Sequence, residues 1–189
     1  MPKVGVVITS TRPNRVGLPV GRWFAEKAKQ HAKFEVQVVD LKEVALPPLD
    51  EPTHPMKRQY QHEHTKAWSR TVSSLDAFVF VTPEYNYSLP PALVNAVDYL
   101  FFEWNYKPAG FVSYGGVSGG TRSVQMSKQV VTALKMMPIP EGVFIPFVAK
   151  LIDAEGTFNP GTAQDEAVTR MLDELLRWAE ALKSLRQPA

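Results

Sequence analysis

The sequence predicts an α/β fold: a five-stranded parallel sheet of strand order 2-1-3-4-5, sandwiched between helices in three layers. Three observations lead there. Short apolar runs alternate with longer segments of helical periodicity, the mark of strand–helix–strand units. The runs are apolar throughout, as strands covered on both faces are. There are five of them, and right-handed crossovers make a doubly wound sheet the economical arrangement. Five strands favour order 2-1-3-4-5 over the six-stranded dinucleotide-binding order.

Val4–Ile8, broken only by Gly5, reads as the first strand. Pro19 opens a helix to about Ala32 with Val20, Phe24, Ala25 and Ala28 at helical spacing; proline is tolerated there because a first-turn N–H has no partner. Phe34–Val39 is the second strand, β-branched and apolar. Leu46–Pro55 holds four prolines and excludes regular structure. His64–Leu75 reads as a helix with Trp68, Val72 and Leu75 on one side, and Ala77–Val81 as the third strand. Pro90 or Pro91 starts the next helix, with Leu93, Val94, Val97 and Leu100 inward, and Ala109–Ser113 follows as the fourth strand. Gly119 and Gly120 precede a helix to about Met136. Gly142–Val148 is the expected fifth strand, with Pro146 demoting one end to an edge or bulge. Lys150–Thr162 is a polar loop, and Ala163–Leu185 closes the chain as an amphipathic helix. No repeat, low-complexity tract or linker interrupts residues 1–189, so one domain is expected.

Composition narrows the functions. Zero cysteine among 189 residues excludes disulfides, Cys-ligated zinc, iron–sulfur clusters and a thiol nucleophile. Lys plus Arg is 21 against 19 for Asp plus Glu, and a net charge of +2 argues against a nucleic-acid partner. No segment approaches the roughly 18 apolar residues of a membrane span, and the apolar run after Lys3 is too short for a signal peptide. A soluble cytoplasmic protein is the expectation.

In a sheet of this order ligands bind outside the carboxyl ends of the strands, where strand order reverses between strands one and three. The unusual residues fall in the loops after strands one, three and four, which would meet at that edge. Thr9-Ser10-Thr11-Arg12-Pro13-Asn14-Arg15-Val16-Gly17 offers hydroxyls, two arginines and amides at a helix N-terminus, an anion site in its donor set. A capped, solvated loop is the bland alternative. Thr82-Pro83-Glu84-Tyr85-Asn86-Tyr87-Ser88-Leu89-Pro90-Pro91 is stiffened by three prolines. Its backbone groups could read the edge of a flat heterocycle, or its tyrosines could fill the core rim. Ser113-Tyr114-Gly115-Gly116-Val117-Ser118-Gly119-Gly120-Thr121-Arg122 carries four glycines in six residues, which let backbone approach a ligand closely.

Other motifs are absent or bland. Neither G-x-x-x-x-G-K-[ST] nor G-x-G-x-x-G follows strand one, so Asp40 reads as a strand-end turn residue rather than a ribose ligand. No G-x-S-x-G elbow exists. His62 and His64, among Gln59, Gln61 and Glu63, read as a solvated linker rather than half a metal site. The aromatic run Glu103-Trp104-Asn105-Tyr106 after Leu100-Phe101-Phe102 reads as a subunit interface.

Together the three loops resemble the NADPH-dependent FMN reductase family, from Val4 to about Val148. The most specific piece is Pro83-Glu84-Tyr85-Asn86-Tyr87-Ser88, followed by Pro91, Leu93, Asn95, Ala96, Asp98 and Leu100. Where the family's phosphate loop reads roughly G-S-x-R, this chain has Thr9 and keeps Ser10 and Arg12. The resemblance implies a flavodoxin-like fold, bound FMN, NADPH or NADH as co-substrate, and a homodimer or homotetramer. It implies that Ser10, Arg12, Arg15, Val16 and Gly17 hold the phosphate. Pro83, Glu84, Tyr85 and Asn86 would border the isoalloxazine, largely through backbone groups, while Ser113, Tyr114, Gly115 and Gly116 close its other edge. No catalytic side chain and no metal are required, since the flavin carries the hydride chemistry. The implied acceptor is a flavin, quinone, azo compound or metal oxyanion. The alternatives are an FMN-binding electron carrier or redox-responsive interaction protein with little reductase activity, or a domain for another phosphorylated ligand.

Overall fold

The computed structural model describes residues 1–186; positions 187–189 of the expected 1–189 domain lie outside the described residues. Five parallel strands form one sheet: β1 (Lys3–Ile8), β2 (Glu35–Asp40), β3 (Ala77–Pro83), β4 (Pro108–Tyr114) and β5 (Met137–Ile145). Their order is β2-β1-β3-β4-β5, the expected one. The helices are α1 (Gly17–His31), α2 (Leu41–Val44), α3 (Glu63–Ser73), α4 (Pro91–Asp98), α5 (Thr121–Ala133) and α6 (Thr162–Ala181). The short α2 was not expected from the sequence; the Asp40 carboxylate caps it, accepting from the Lys42 amide at 3.0 Å.

Strand alternation sorts the core into two layers. Ala77, Val79 and Val81 of β3 face one side, where α1 and α6 cover them with Val20, Phe24, Met171, Leu172 and Leu175. Phe78 and Phe80 face the other, under Trp68, Val72, Leu93, Val97 and Val131 of α3, α4 and α5. Every residue of β3 is buried, so this strand reads as a continuous apolar run rather than an alternating one.

Two readings of the sequence change. Met137–Ile145 is the fifth strand, not Gly142–Val148, and it contains Pro138 and Pro140. Those prolines are tolerated because β5 is an edge strand, where one row of amides needs no partner, and the register slips between Ala109 and Phe111. In the aromatic run after α4, expected as an interface, Glu103, Trp104 and Asn105 are buried within the chain itself, while Phe101, Phe102 and Tyr106 are half-buried. Trp104 has no exposed area; its ring lies 4.9 Å from Phe78, and its indole N–H donates to the Val97 carbonyl at 3.1 Å. A residue just past a helix can fold back into the same layer, and periodicity does not report that. Among the described residues no helix is long and apolar enough to cross a membrane.

Trp104 therefore belongs to the chain's own core. Trp104→Ala is expected to cost about 3–5 kcal/mol of unfolding free energy in urea titrations, with the oligomeric state of the folded fraction unchanged in sedimentation.

Candidate functional site

β1 and β3 are neighbours, while β1 continues to β2 on one side and β3 to β4 on the other. The loops after β1, β3 and β4 therefore emerge together at the carboxyl edge. They enclose a cavity of about 300 Å³. Ser10, Arg12, Arg15, Val16, Pro83, Glu84, Tyr85, Tyr114 and Gly115 line it, as do Pro13, Asn14 and Val148, which sequence reasoning did not single out. Gly17, Asn86, Ser113 and Gly116 sit outside that lining. Gly17 begins α1; Ser113 is fully buried, its hydroxyl donating to the Gly119 carbonyl at 2.7 Å. Asn86 and Gly116 are exposed at the tips of their loops.

The first loop keeps its donors free. Among the described residues, the amides of Ser10, Thr11, Arg12, Asn14, Arg15 and Val16 find no hydrogen-bond acceptor. α1 has no side-chain cap and no acidic residue in its first turn. Unspent N–H groups and the positive end of a fifteen-residue helix favour an anion. Gly17 is required for this approach, because any Cβ there would overlap the Tyr114 hydroxyl. Among the described residues that hydroxyl is buried without a hydrogen bond of normal geometry; burial pushes its pKa up, with Tyr85 adding to the rise and Ser10, Arg15 and Arg12 opposing it.

The two arginines differ. Arg12 is exposed and lies 5.8 Å over the Tyr85 ring. Arg15 is nearly buried and its guanidinium is ion-paired with Asp40, itself buried at the end of β2. Sequence reasoning put Arg15 on the phosphate and left Asp40 as a turn residue. The available signal was the sheet order: β2 runs beside β1, so Asp40 pairs in register with Ile8, just before the loop.

The second loop is a tight reverse turn. Tyr85 and Ser88 exchange two backbone hydrogen bonds, each 2.9 Å. Between them Asn86 has φ 50° and Tyr87 φ 65°, the left-handed pair of a type I′ turn, disfavoured for non-glycine residues. Tertiary contacts hold it there. The Tyr85 hydroxyl is 2.7 Å from the Ser10 hydroxyl, tying the second loop to the first. Glu84 ties it to the third, and no local signal announced this. Its carboxylate accepts from the Ser118 hydroxyl at 3.0 Å, the Arg122 amide at 3.1 Å and the Arg122 guanidinium at 2.7 Å. Arg122 in turn covers the exposed Tyr87 ring at 4.2 Å. Burial raises the Glu84 pKa, but the Arg122 and Ser118 hydrogen bonds and the Arg122 charge outweigh it, and the net shift is downward. The Glu84 side chain is thus engaged by the third loop, while the residue also lines the cavity. His62 and His64 stack on each other and bond to Asp50; no metal-ligating cluster occurs among the described residues.

Order 2-1-3-4-5 with a donor-rich loop at the β1/β3 switch point is the frame on which flavodoxin-like proteins carry FMN. The residues here fit that group: free amides and Arg12 suit a monophosphate, and the orphan Tyr114 hydroxyl waits beside them. The model of the family described as NADPH-dependent FMN reductase matches residues 2–150, and the chain belongs to that family. It is an FMN-dependent oxidoreductase that draws on NAD(P)H. The NAD(P)H-dependent FMN reductase C4B3.06c of Schizosaccharomyces pombe is 42% identical over 141 residues, 74% of this chain and 70% of that protein. The NAD(P)H-dependent FMN reductase ntnL of Nectria sp is 33% identical over 189 residues, 97% of this chain and 90% of that one. Among solved structures, FerB, a flavoenzyme NAD(P)H:(acceptor) oxidoreductase from Paracoccus denitrificans, superposes with a TM-score of 0.76 at 20% identity, covering 96% of this chain and 98% of that one.

Two outcomes follow from these ties. Asp40→Ala strands a nearly buried guanidinium and should cost about 3–5 kcal/mol in urea unfolding. Glu84→Gln loses its charge-assisted bonds and should cost about 2 kcal/mol at pH 7. The Glu84 carboxyl is more acidic folded than its ordinary value of 4.5, so its contribution is complete above that value and lost as pH falls through the lower folded value. Stability curves of wild type and Glu84→Gln should therefore converge only in the acid limb.

Proposed function

We propose that the first loop seats the FMN phosphate, and that the second and third loops frame the isoalloxazine. NAD(P)H and a flat aromatic acceptor, a quinone or free flavin, would then use its open face in turn. The observation that carries this is the set of unspent amides at the start of α1 beside Arg12. The phosphate would be held by those amides, the Ser10 hydroxyl and the Arg12 guanidinium, with Arg15 shaping the loop through Asp40. Gly17 and Tyr114 set how closely the helix start approaches. Pro83, Glu84, Tyr85 and Asn86 would border the ring by backbone groups, held in place by the Glu84 tie to Ser118 and Arg122. Ser113 acts from below by fixing Gly119, so that Gly115 and Gly116 line the far edge. FMN, when bound, supplies a centre that accepts hydride from NAD(P)H and releases electrons to the acceptor.

A planar acceptor is favoured over a metal oxyanion by the surface beside the second loop. An open groove of about 630 Å³ there is lined mainly by Leu46, Pro48, Leu89, Pro91, Ala92 and Val94. A homodimer or homotetramer belongs to the same reading, supported by the exposed apolar side chains Val117 (75%) and Phe147 (50%) flanking the glycine loop. The electron-carrier alternative predicts slow reduction by NADPH.

The purified protein should show a flavin spectrum, bleach on anaerobic NADPH titration, and turn over with a quinone. A colourless protein that stays so with excess FMN overturns the assignment. Arg12→Ala should raise the FMN dissociation constant roughly 10- to 100-fold, read by flavin fluorescence, for the loss of one charge-assisted contact.

A further inference from the structure

The other edge of the sheet, where the strands begin, holds a second cavity of about 400 Å³ that the flavin chemistry does not use. Four cationic side chains line it: Arg58, Lys107, Lys135 and Arg186. Phe102 and Tyr106 form apolar walls, Arg58 lying 4.6 Å over Phe102 and Lys135 5.7 Å over Tyr106.

The charges do not balance. Two carboxylates reach the cavity, Asp76 and Glu103. Asp76 is taken by Arg186 at 3.0 Å and by the Lys3 amide at 2.8 Å. Glu103 is buried and accepts from the hydroxyls of Tyr60 and Ser69. Among the described residues Arg58, Lys107 and Lys135 make no ion pair. Lys107 is only 6% exposed. Its ammonium donates to the carbonyls of Val72 and Ser73 at the end of α3, at 2.8 and 3.3 Å, which accounts for two of its three donors. The two carboxylates near this buried ammonium, Asp76 and Glu103, are bonded elsewhere, which leaves room for an anion to offset its cost. Burial, and then the neighbouring Arg186, lower its pKa to about 8, against the smaller opposing pull of Asp76 and Glu103.

The backbone is also held unusually here. Among the described residues, Arg58 (φ 51°), Tyr106 (φ 59°) and Lys135 (φ 56°) are three of the nine non-glycine residues with positive φ, and all three line this one cavity. Arg58 and Lys135 take this conformation as left-handed caps closing helical turns, their amides donating to Pro55 and Thr132, which fixes where their side chains leave the backbone.

We propose that this cavity binds a small oxyanion, a phosphate or a polycarboxylate, at a site distinct from the FMN loop. Arg58, Lys107 and Lys135 supply the charge, and the Phe102 and Tyr106 rings hold two of the cations in place. Binding would relieve the mutual repulsion of Lys107 and Arg186, so the anion and the Lys107 proton support one another. Asp76, Glu103, Arg58, Lys135 and Arg186 are the other charged groups around it.

The test uses the full chain saturated with FMN, so that the first loop is filled, at constant ionic strength held with chloride. Inorganic phosphate and citrate are titrated separately by calorimetry and thermal unfolding. Saturable binding of either, at one per chain, is expected, and the better of the two identifies the ligand class. Arg58→Ala and Lys135→Ala should each weaken it about tenfold, with FMN affinity and NADPH oxidation unchanged. Citrate affinity should fall between pH 7 and pH 9 as Lys107 loses its proton. Lys107→Met should abolish that fall; if it does not fold, the two surface variants still decide. Absence of saturable binding by both probes, or binding that the Arg58→Ala, Lys135→Ala double variant retains, overturns the proposal.

Discussion

The carboxyl edge depends on β3 being buried on both faces. Val79 and Val81 lock under α1 and α6, and Phe78 and Phe80 lock under α3, α4 and Trp104. A strand pinned this way cannot tilt or slide, so its end at Pro83 is a fixed point. The turn from Tyr85 to Ser88 can then hold two non-glycine residues at positive φ, a conformation a looser support would release. From that point, one hydroxyl contact reaches Ser10 and one carboxylate reaches Ser118 and Arg122. Three loops distant in sequence become one linked surface, which lowers the conformational cost of ordering them around a ligand.

Electrostatics divides the labour among residues that look alike in sequence. Arg15 is ion-paired with Asp40, whereas Arg12 makes no ion pair among the described residues and lines the cavity. Glu84 likewise spends its carboxylate on loop-to-loop contacts, which leaves a cavity with free donors and little competing negative charge. A small anion is the ligand such a surface favours, and the +2 net charge of the whole chain gives no hint of it. The amino edge shows the same local excess by another route: Lys107 is buried against the end of α3, and among the described residues Arg58 and Lys135 beside it make no ion pair.

The first four strands, the five longer helices, the sheet order and the three loops were legible in the sequence. Each rests on a short-range pattern: apolar runs of five or six residues, helical spacing, prolines and glycines at element ends. What the sequence left to the folded chain was partnership across distance. Arg15 with Asp40 spans 25 positions, Glu84 with Ser118 34, and Ser10 with Tyr85 75. No periodicity encodes such pairs, because they exist only once strands lie side by side. The same reason moved β5 and Trp104. Prolines are breakers locally but harmless on an edge strand, and an aromatic run is surface or core according to what packs over it, which only the assembled layers decide.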